Sequence, residues 1–153
     1  MKKQIIAVFI AGILHLTLLQ AQPVVFVNAG SRTAWGTNQE LTIDANGQCR
    51  YYMREAMTGN VKDSVFFSIT ASQLAAFFDK AETLGFFDLN TVYDSGKTDG
   101  AGVYISLNDK GRKKRVSVAN VQQPAVDGLI AYLNEILAPQ KIRIYYGQSS
   151  PSK

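Results

Sequence analysis

Leu41-Thr42-Ile43-Asp44-Ala45-Asn46-Gly47-Gln48-Cys49-Arg50-Tyr51-Tyr52-Met53 is the stretch that decides the fold. Leu41 and Ile43 alternate with polar residues before Asp44–Gly47, and Cys49, Tyr51 and Met53 alternate after it. A period of two marks half-buried strands, and Asn-Gly between two such runs signals a hairpin, because both residues tolerate positive φ. A tight hairpin joins antiparallel neighbours, so the pattern predicts an antiparallel sheet with one buried face. Val103, Ile105 and Leu107 repeat the pattern, Asn108–Gly111 turn, and Val116 and Val118 return. Val65, Phe67 and Ile69 share a face of another strand over 61–69. Val24–Val27 reads as a first strand ended by Asn28-Ala29-Gly30, with an irregular connector over 31–38. Ile142, Ile144, Tyr145 and Tyr146 suggest a last strand.

Two segments switch to the helical period. Thr70 and Gln73 form a capping box, and Leu74, Phe77, Phe78, Ala81 and Leu84 make one apolar stripe that Gly85 terminates. Phe86, Phe87 and Leu89 then turn back under the same core. Pro124 suits the first position of a second helix. Val126, Leu129, Ile130, Leu133, Ile136 and Leu137 form its stripe, and Pro139 ends it. The fold class is therefore α+β: an antiparallel sheet built from hairpins, with two helices packed on one face.

The N-terminus predicts where the chain goes. Lys2 and Lys3 precede the apolar run Ile5–Leu19, and Ala21 offers a small residue for cleavage, which is the layout of a secretory signal peptide. The run is shorter than the roughly 20 residues of a membrane-crossing helix. The expected organisation is a signal peptide over 1–21, one α+β domain over 22–147 and a polar tail over 148–153. The expected location is periplasmic or secreted.

Composition narrows the chemistry. The sole histidine, His15, lies in the signal peptide, so the processed chain lacks the commonest general base, metal ligand and pH switch. Cys49 is the sole cysteine, which precludes an intrachain disulfide and a Cys-based zinc site; its place on a strand suits a small buried hydrophobe. No catalytic residue, metal ligand or cofactor is expected. Of 16 Lys and Arg, loss of Lys2 and Lys3 leaves 14 against 12 Asp and Glu. Five of these lie in Lys110-Gly111-Arg112-Lys113-Lys114-Arg115, so a general nucleic-acid-binding role is not expected.

Several segments together resemble a family of small exported bacterial domains of unknown function. They are Ser31-Arg32-Thr33-Ala34, the hairpin Leu41–Gly47, Ser72 through Gly85-Phe86-Phe87-Asp88-Leu89, and Thr98-Asp99-Gly100. The resemblance runs from about Phe26 to Leu137. It implies export and the same hairpin–helix–hairpin–helix plan, and it implies no activity. Many such domains carry two cysteines in the loop before the first hairpin, where this chain has Trp35-Gly36-Thr37-Asn38.

Two groups of residues could bind a ligand. Lys110, Arg112, Lys113, Lys114 and Arg115 could attract anions such as lipid head groups or polyanions, although alternation sends Arg112 and Lys114 to one face and Lys113 and Arg115 to the other. They could equally serve as a charged edge that discourages sheet aggregation. Arg32 and Trp35 in one loop, with Asp94 and Asp99 in the Gly-rich loop 94–102, could form a ligand site; Asp-Ser-Gly and Asp-Gly are also ordinary turn formers. The expected function is an exported, non-catalytic binding module, protein-binding or inhibitor-like, whose partner is an envelope or extracellular protein. An anion-binding module using the basic hairpin is the alternative, and a carboxylate-dependent hydrolase the third class. Intact-mass measurement of the natively produced protein should find a start at or near Gln22; recovery of the full chain from cytosol would contradict the export reading.

Overall fold

Strands β1 (Val25–Arg32), β2 (Thr37–Asp44), β3 (Gln48–Glu55), β4 (Val61–Ser68), β5 (Val92–Asp94), β6 (Gly102–Asp109) and β7 (Arg112–Ala119) form one sheet. Their spatial order is β4-β3-β2-β1-β6-β7-β5. The computed structural model describes residues 25–33, 36–96 and 101–145; residues 1–21, expected as a signal peptide, and 148–153, expected as a polar tail, lie outside them. All neighbours pair antiparallel except β5, which runs parallel to β7. The first four strands meander to one edge. Helix α1 (Ala71–Thr83) then carries the chain across to the other edge, and α2 (Pro124–Leu137) follows β7.

Both helices lie on one face. Val27 and Ala29 of β1, Leu41 and Ile43 of β2, Val103, Ile105 and Leu107 of β6, and Val116 and Val118 of β7 share a buried cluster with Leu74, Phe77, Ala81, Leu129, Leu133 and Leu137 from the helices. The capping box of α1 forms as the sequence predicts. The Gln73 amide donates to Thr70 Oγ1 at 3.1 Å, and the Thr70 amide donates to Gln73 Oε1 at 2.9 Å. Gly85 follows with φ 64°. Pro124 opens α2, and the Gln123 side chain caps it by accepting from the Ala125 and Val126 amides.

The structure corrects four expectations. Strand β1 continues through Asn28-Ala29-Gly30 to Arg32, because β2 and β6 pair with it on both sides, and glycine stands where neighbouring atoms leave no room for a side chain. The Asn46-Gly47 turn has positive φ only at Gly47: the Asp44 carboxylate accepts from the Asn46 and Gln48 amides at 2.8 and 3.0 Å, which favours a tighter asparagine conformation. Val92–Asp94 adds a short parallel strand, too brief to leave a periodic signal. Finally, 142–145 forms no ladder. Side-chain amides dock this segment instead: Asn134 exchanges two hydrogen bonds with the Ile144 backbone, and Gln39 accepts from the Tyr145 amide at 3.0 Å and donates to the Arg143 carbonyl at 2.7 Å.

Cys49 is buried against the Gly47 carbonyl, and burial pushes its thiol up to about 11, opposed by a hydrogen bond from the Ile69 backbone and reinforced by Asp44. It serves the core as a small apolar residue.

Phe77 is 1% exposed, whereas Phe78 is half-buried at the edge of the stripe. Phe77→Ala should therefore lose about 3–5 kcal/mol and Phe78→Ala under half of that. Thermal and denaturant melts of the two variants decide it, and equal small losses would mean that α1 is docked on another face.

Candidate functional site

Strand alternation sends every second residue away from the helices, and cross-strand register arranges these residues in rows. One row crosses the sheet as Phe66, Arg50, Thr42, Asn28, Ser106 and Arg115. The next is Ser64, Tyr52, Glu40, Gly30, Tyr104 and Ser117. A third places Arg54 opposite Asn38 and Arg32 opposite Gly102. Lys113 shares the face opposite Asn108. The open face thus collects Arg32, Arg50, Arg54, Lys113 and Arg115, against Glu40 at its centre and Asp94 at the β5 edge. The helical layer has the opposite balance: Asp79, Glu82, Asp127 and Glu135 outnumber Lys80 in α1 and α2. The described residues are therefore polarised in charge across the two layers.

Gly30 organises the centre of the open face. A Cβ there would lie 2.1 Å from the Gln39 carbonyl oxygen and 3.0 Å from the Tyr104 hydroxyl. The bare backbone lets the Tyr104 side chain lie across β1 toward Glu40, and Tyr104 is only 6% exposed although it faces away from the core. Burial and the nearby Glu40 carboxylate raise the Tyr104 hydroxyl above the ordinary phenol range, opposed by Arg32 and Arg115, so it stays protonated at neutral pH.

Two guanidinium groups flank this ring. Arg32 approaches from β1, 5.1 Å from the ring centroid, and Arg115 from β7 at 4.4 Å. Stacking on the aromatic face restrains their long side chains, and Arg32 also donates a hydrogen bond to the Tyr104 hydroxyl. Both arginines are exposed, and among the described residues neither makes an ion pair. They line a cavity of about 370 Å³ together with Tyr104, Ser117, Asp94 and Val92. Arg32 and Tyr104 also border a second hollow of about 270 Å³ that contains Asn38, Glu40 and Arg54. Further along the face, Arg54 stacks on Tyr52 at 5.0 Å, and Tyr52 meets the exposed Phe66 edge-on at 5.9 Å.

The residues singled out in the sequence scatter across this framework. Of the basic hairpin, Arg115 enters the cavity and Lys113 stands on the open face. Arg112 turns to the helix side, where it lies 3.8 Å over the Phe87 ring and pairs with Glu82 of α1 and with Asp109. Lys114 opposes the buried Leu107 on that same side, and Lys110 occupies the turn with φ 49°. Arg32 and Asp94 meet at the cavity, and Asp94 Oδ1 also accepts from the Gly96 amide at 2.9 Å, the turn-forming role its sequence suggests. Trp35 and Asp99 lie outside the described residues. Tyr104 and Arg54 were not anticipated; Tyr104, Ser106 and Arg115 do carry the strand-alternation signal of an outward face. Among the described residues no group of three or more His, Cys, Asp and Glu is arranged to hold a metal ion.

The class so defined is a two-layer α+β domain with a cationic, aromatic-bearing open sheet. Residues 38–137 match the family model described as Domain of unknown function (DUF6438), and the chain belongs to that family. The match begins at Asn38, so β1, which supplies Gly30 and Arg32, precedes it. No curated protein matches the chain.

Gly30→Ala should expose the role of the bare backbone. Alanine in a strand interior normally gains about 0.5–1 kcal/mol over glycine. Here the Gln39 carbonyl stands in the way, so the variant should instead lose about 2 kcal/mol or more and shift the Tyr104 ring resonances. A stabilised variant with unchanged Tyr104 resonances would contradict the arrangement.

Proposed function

We propose that this chain is an exported, non-catalytic interaction domain that binds an acidic protein partner on its open sheet face. One observation carries the reading: Arg32, Arg50, Arg54, Lys113 and Arg115, from three different strands, stand on one face around Tyr52, Tyr104 and Phe66. Helices close the other face, and their acidic surface would repel the same partner. Export is supported by the leader-like pattern of residues 1–21.

A protein partner suits the face better than a uniform polyanion. Phe66 is 63% exposed beside Tyr52, which gives an apolar contact for a side chain. Aromatic and arginine residues are the usual anchors of protein interfaces. Glu40 sits in the middle row, where an unbroken track of phosphates or sulfates would meet it, while a protein can place a donor there. The basic hairpin makes a poorer surface by itself, since Arg112 is engaged by Glu82 and Phe87 and Lys114 points to the other side.

Fluorescence anisotropy with a labelled Asp/Glu-rich peptide tests the proposal, with heparin and anionic lipid vesicles as comparisons over a salt series. The peptide should bind, and binding should weaken as salt rises, as expected for exposed charges. The double variant Arg50→Gln/Arg54→Gln should lower peptide affinity about fivefold, and Lys110→Gln/Lys114→Gln should leave it within about twofold. Equal losses from both pairs, or tighter binding of heparin or vesicles than of the peptide, would replace this reading with general anion binding.

A further inference from the structure

Within that surface, and resting on the reading of it as an acidic-partner site, we infer that the cavity beside Tyr104 receives a single carboxylate whose neighbouring atoms include an amide N–H. The carboxylate is held by Arg32 and Arg115. Each guanidinium is stacked on the same ring, at 5.1 and 4.4 Å, so both forks are positioned before a ligand arrives. Charge-assisted hydrogen bonds from arginine are the strong, directional kind that carboxylates and phosphates accept. Ser117 lines the same cavity and adds a hydroxyl, while the Tyr104 ring forms a wall.

Asp94 sets the selectivity. Its Oδ1 accepts from the Gly96 amide, which fixes the carboxylate at the rim of the cavity. A phosphate dianion brought to the arginines would be repelled by it. A peptide carboxylate carries less charge, and a backbone N–H beside it can donate to Asp94. Val92, 64% exposed, supplies an apolar wall for a short methylene stem. At about 370 Å³ the cavity is near the lower end of ligand-site sizes, which suits one side chain or one chain end. The required chemistry is thus an Asp or Glu side chain, or a C-terminal carboxylate, within a peptide.

Calorimetric titration of the full domain distinguishes these sources and tests the site. The probes are an Asp/Glu-containing peptide with an amidated C-terminus, a neutral peptide of equal length with a free C-terminus, and inorganic phosphate. For whichever peptide binds, Arg32→Gln and Arg115→Gln should each weaken affinity about tenfold, and Arg32→Lys and Arg115→Lys should recover only part of it, because lysine lacks the planar fork. Arg50→Gln, on the same face but outside the cavity, should weaken it by no more than about threefold. Asp94→Asn should improve phosphate binding relative to the peptide. Circular dichroism melts identify any variant whose fold is disturbed, and the charge-preserving lysine variants then carry the comparison. If neither peptide binds the wild type, the acidic-partner reading fails and this site fails with it. If the acidic peptide binds but Arg32→Gln and Arg115→Gln act no more strongly than Arg50→Gln, or phosphate matches the peptide, the carboxylate site alone is overturned.

Discussion

The absence of a side chain at Gly30 is the constraint on which the open face depends. Strand β1 lies at the middle of the sheet, between β2 and β6, and the Gln39 carbonyl comes within 2.1 Å of where a Cβ would be. Any larger residue would push the central strands apart or displace the Tyr104 ring. With glycine in place, a large aromatic lies across bare backbone, is shielded from water, and offers a flat surface to two arginines. Those arginines are 83 positions apart in the chain (Arg32 and Arg115) and are brought together only because the β6–β7 hairpin pairs with β1. Preorganisation of this kind reduces the side-chain ordering that binding would otherwise require.

The division of charge between layers follows from the topology. Nearly all the strand arginines fall at outward positions, while α1 and α2 place Asp79, Glu82, Asp127 and Glu135 on the opposite layer. Arg112 shows how the two layers are tied: it emerges from β7 on the helix side, lies over Phe87 and pairs with Glu82. At the far end of the core, Gln39 plays a comparable part. Its buried amide accepts from Ser31 and Tyr145 and donates to Tyr51 and the Arg143 carbonyl, so all four of its hydrogen-bonding positions are used and the C-terminal segment is fastened without a strand.

Much of this fold is legible in local sequence. The two hairpins, the capping box at Thr70 and Gln73, the glycine stop at Gly85 and both helical stripes are short-range patterns, and short-range physics produces them. What escaped depends on partners distant in sequence. Asn28-Ala29-Gly30 reads as the end of a strand until β6 is known to lie beside it. Asn46 reads as a positive-φ residue until the Asp44 carboxylate is seen to satisfy the turn. Ile142 and Ile144 have strand-like spacing, but their backbone groups are met by Asn134 and Gln39 rather than by a ladder. The candidate site was partly legible for the same reason. Arg32 and Asp94 fall in one candidate group and Arg115 in another, whereas the convergence of all three, and the role of Tyr104 between them, requires the strand order.

Amide chemical-shift mapping of the isotopically labelled domain during titration with an Asp/Glu-rich peptide tests the central claim most directly. The account predicts that the largest shifts cluster at Arg32, Arg50, Tyr52, Arg54, Tyr104 and Arg115, with α1 and α2 nearly silent. Shifts centred on the helices, or confined to the turn at Lys110 and Gly111, would contradict it.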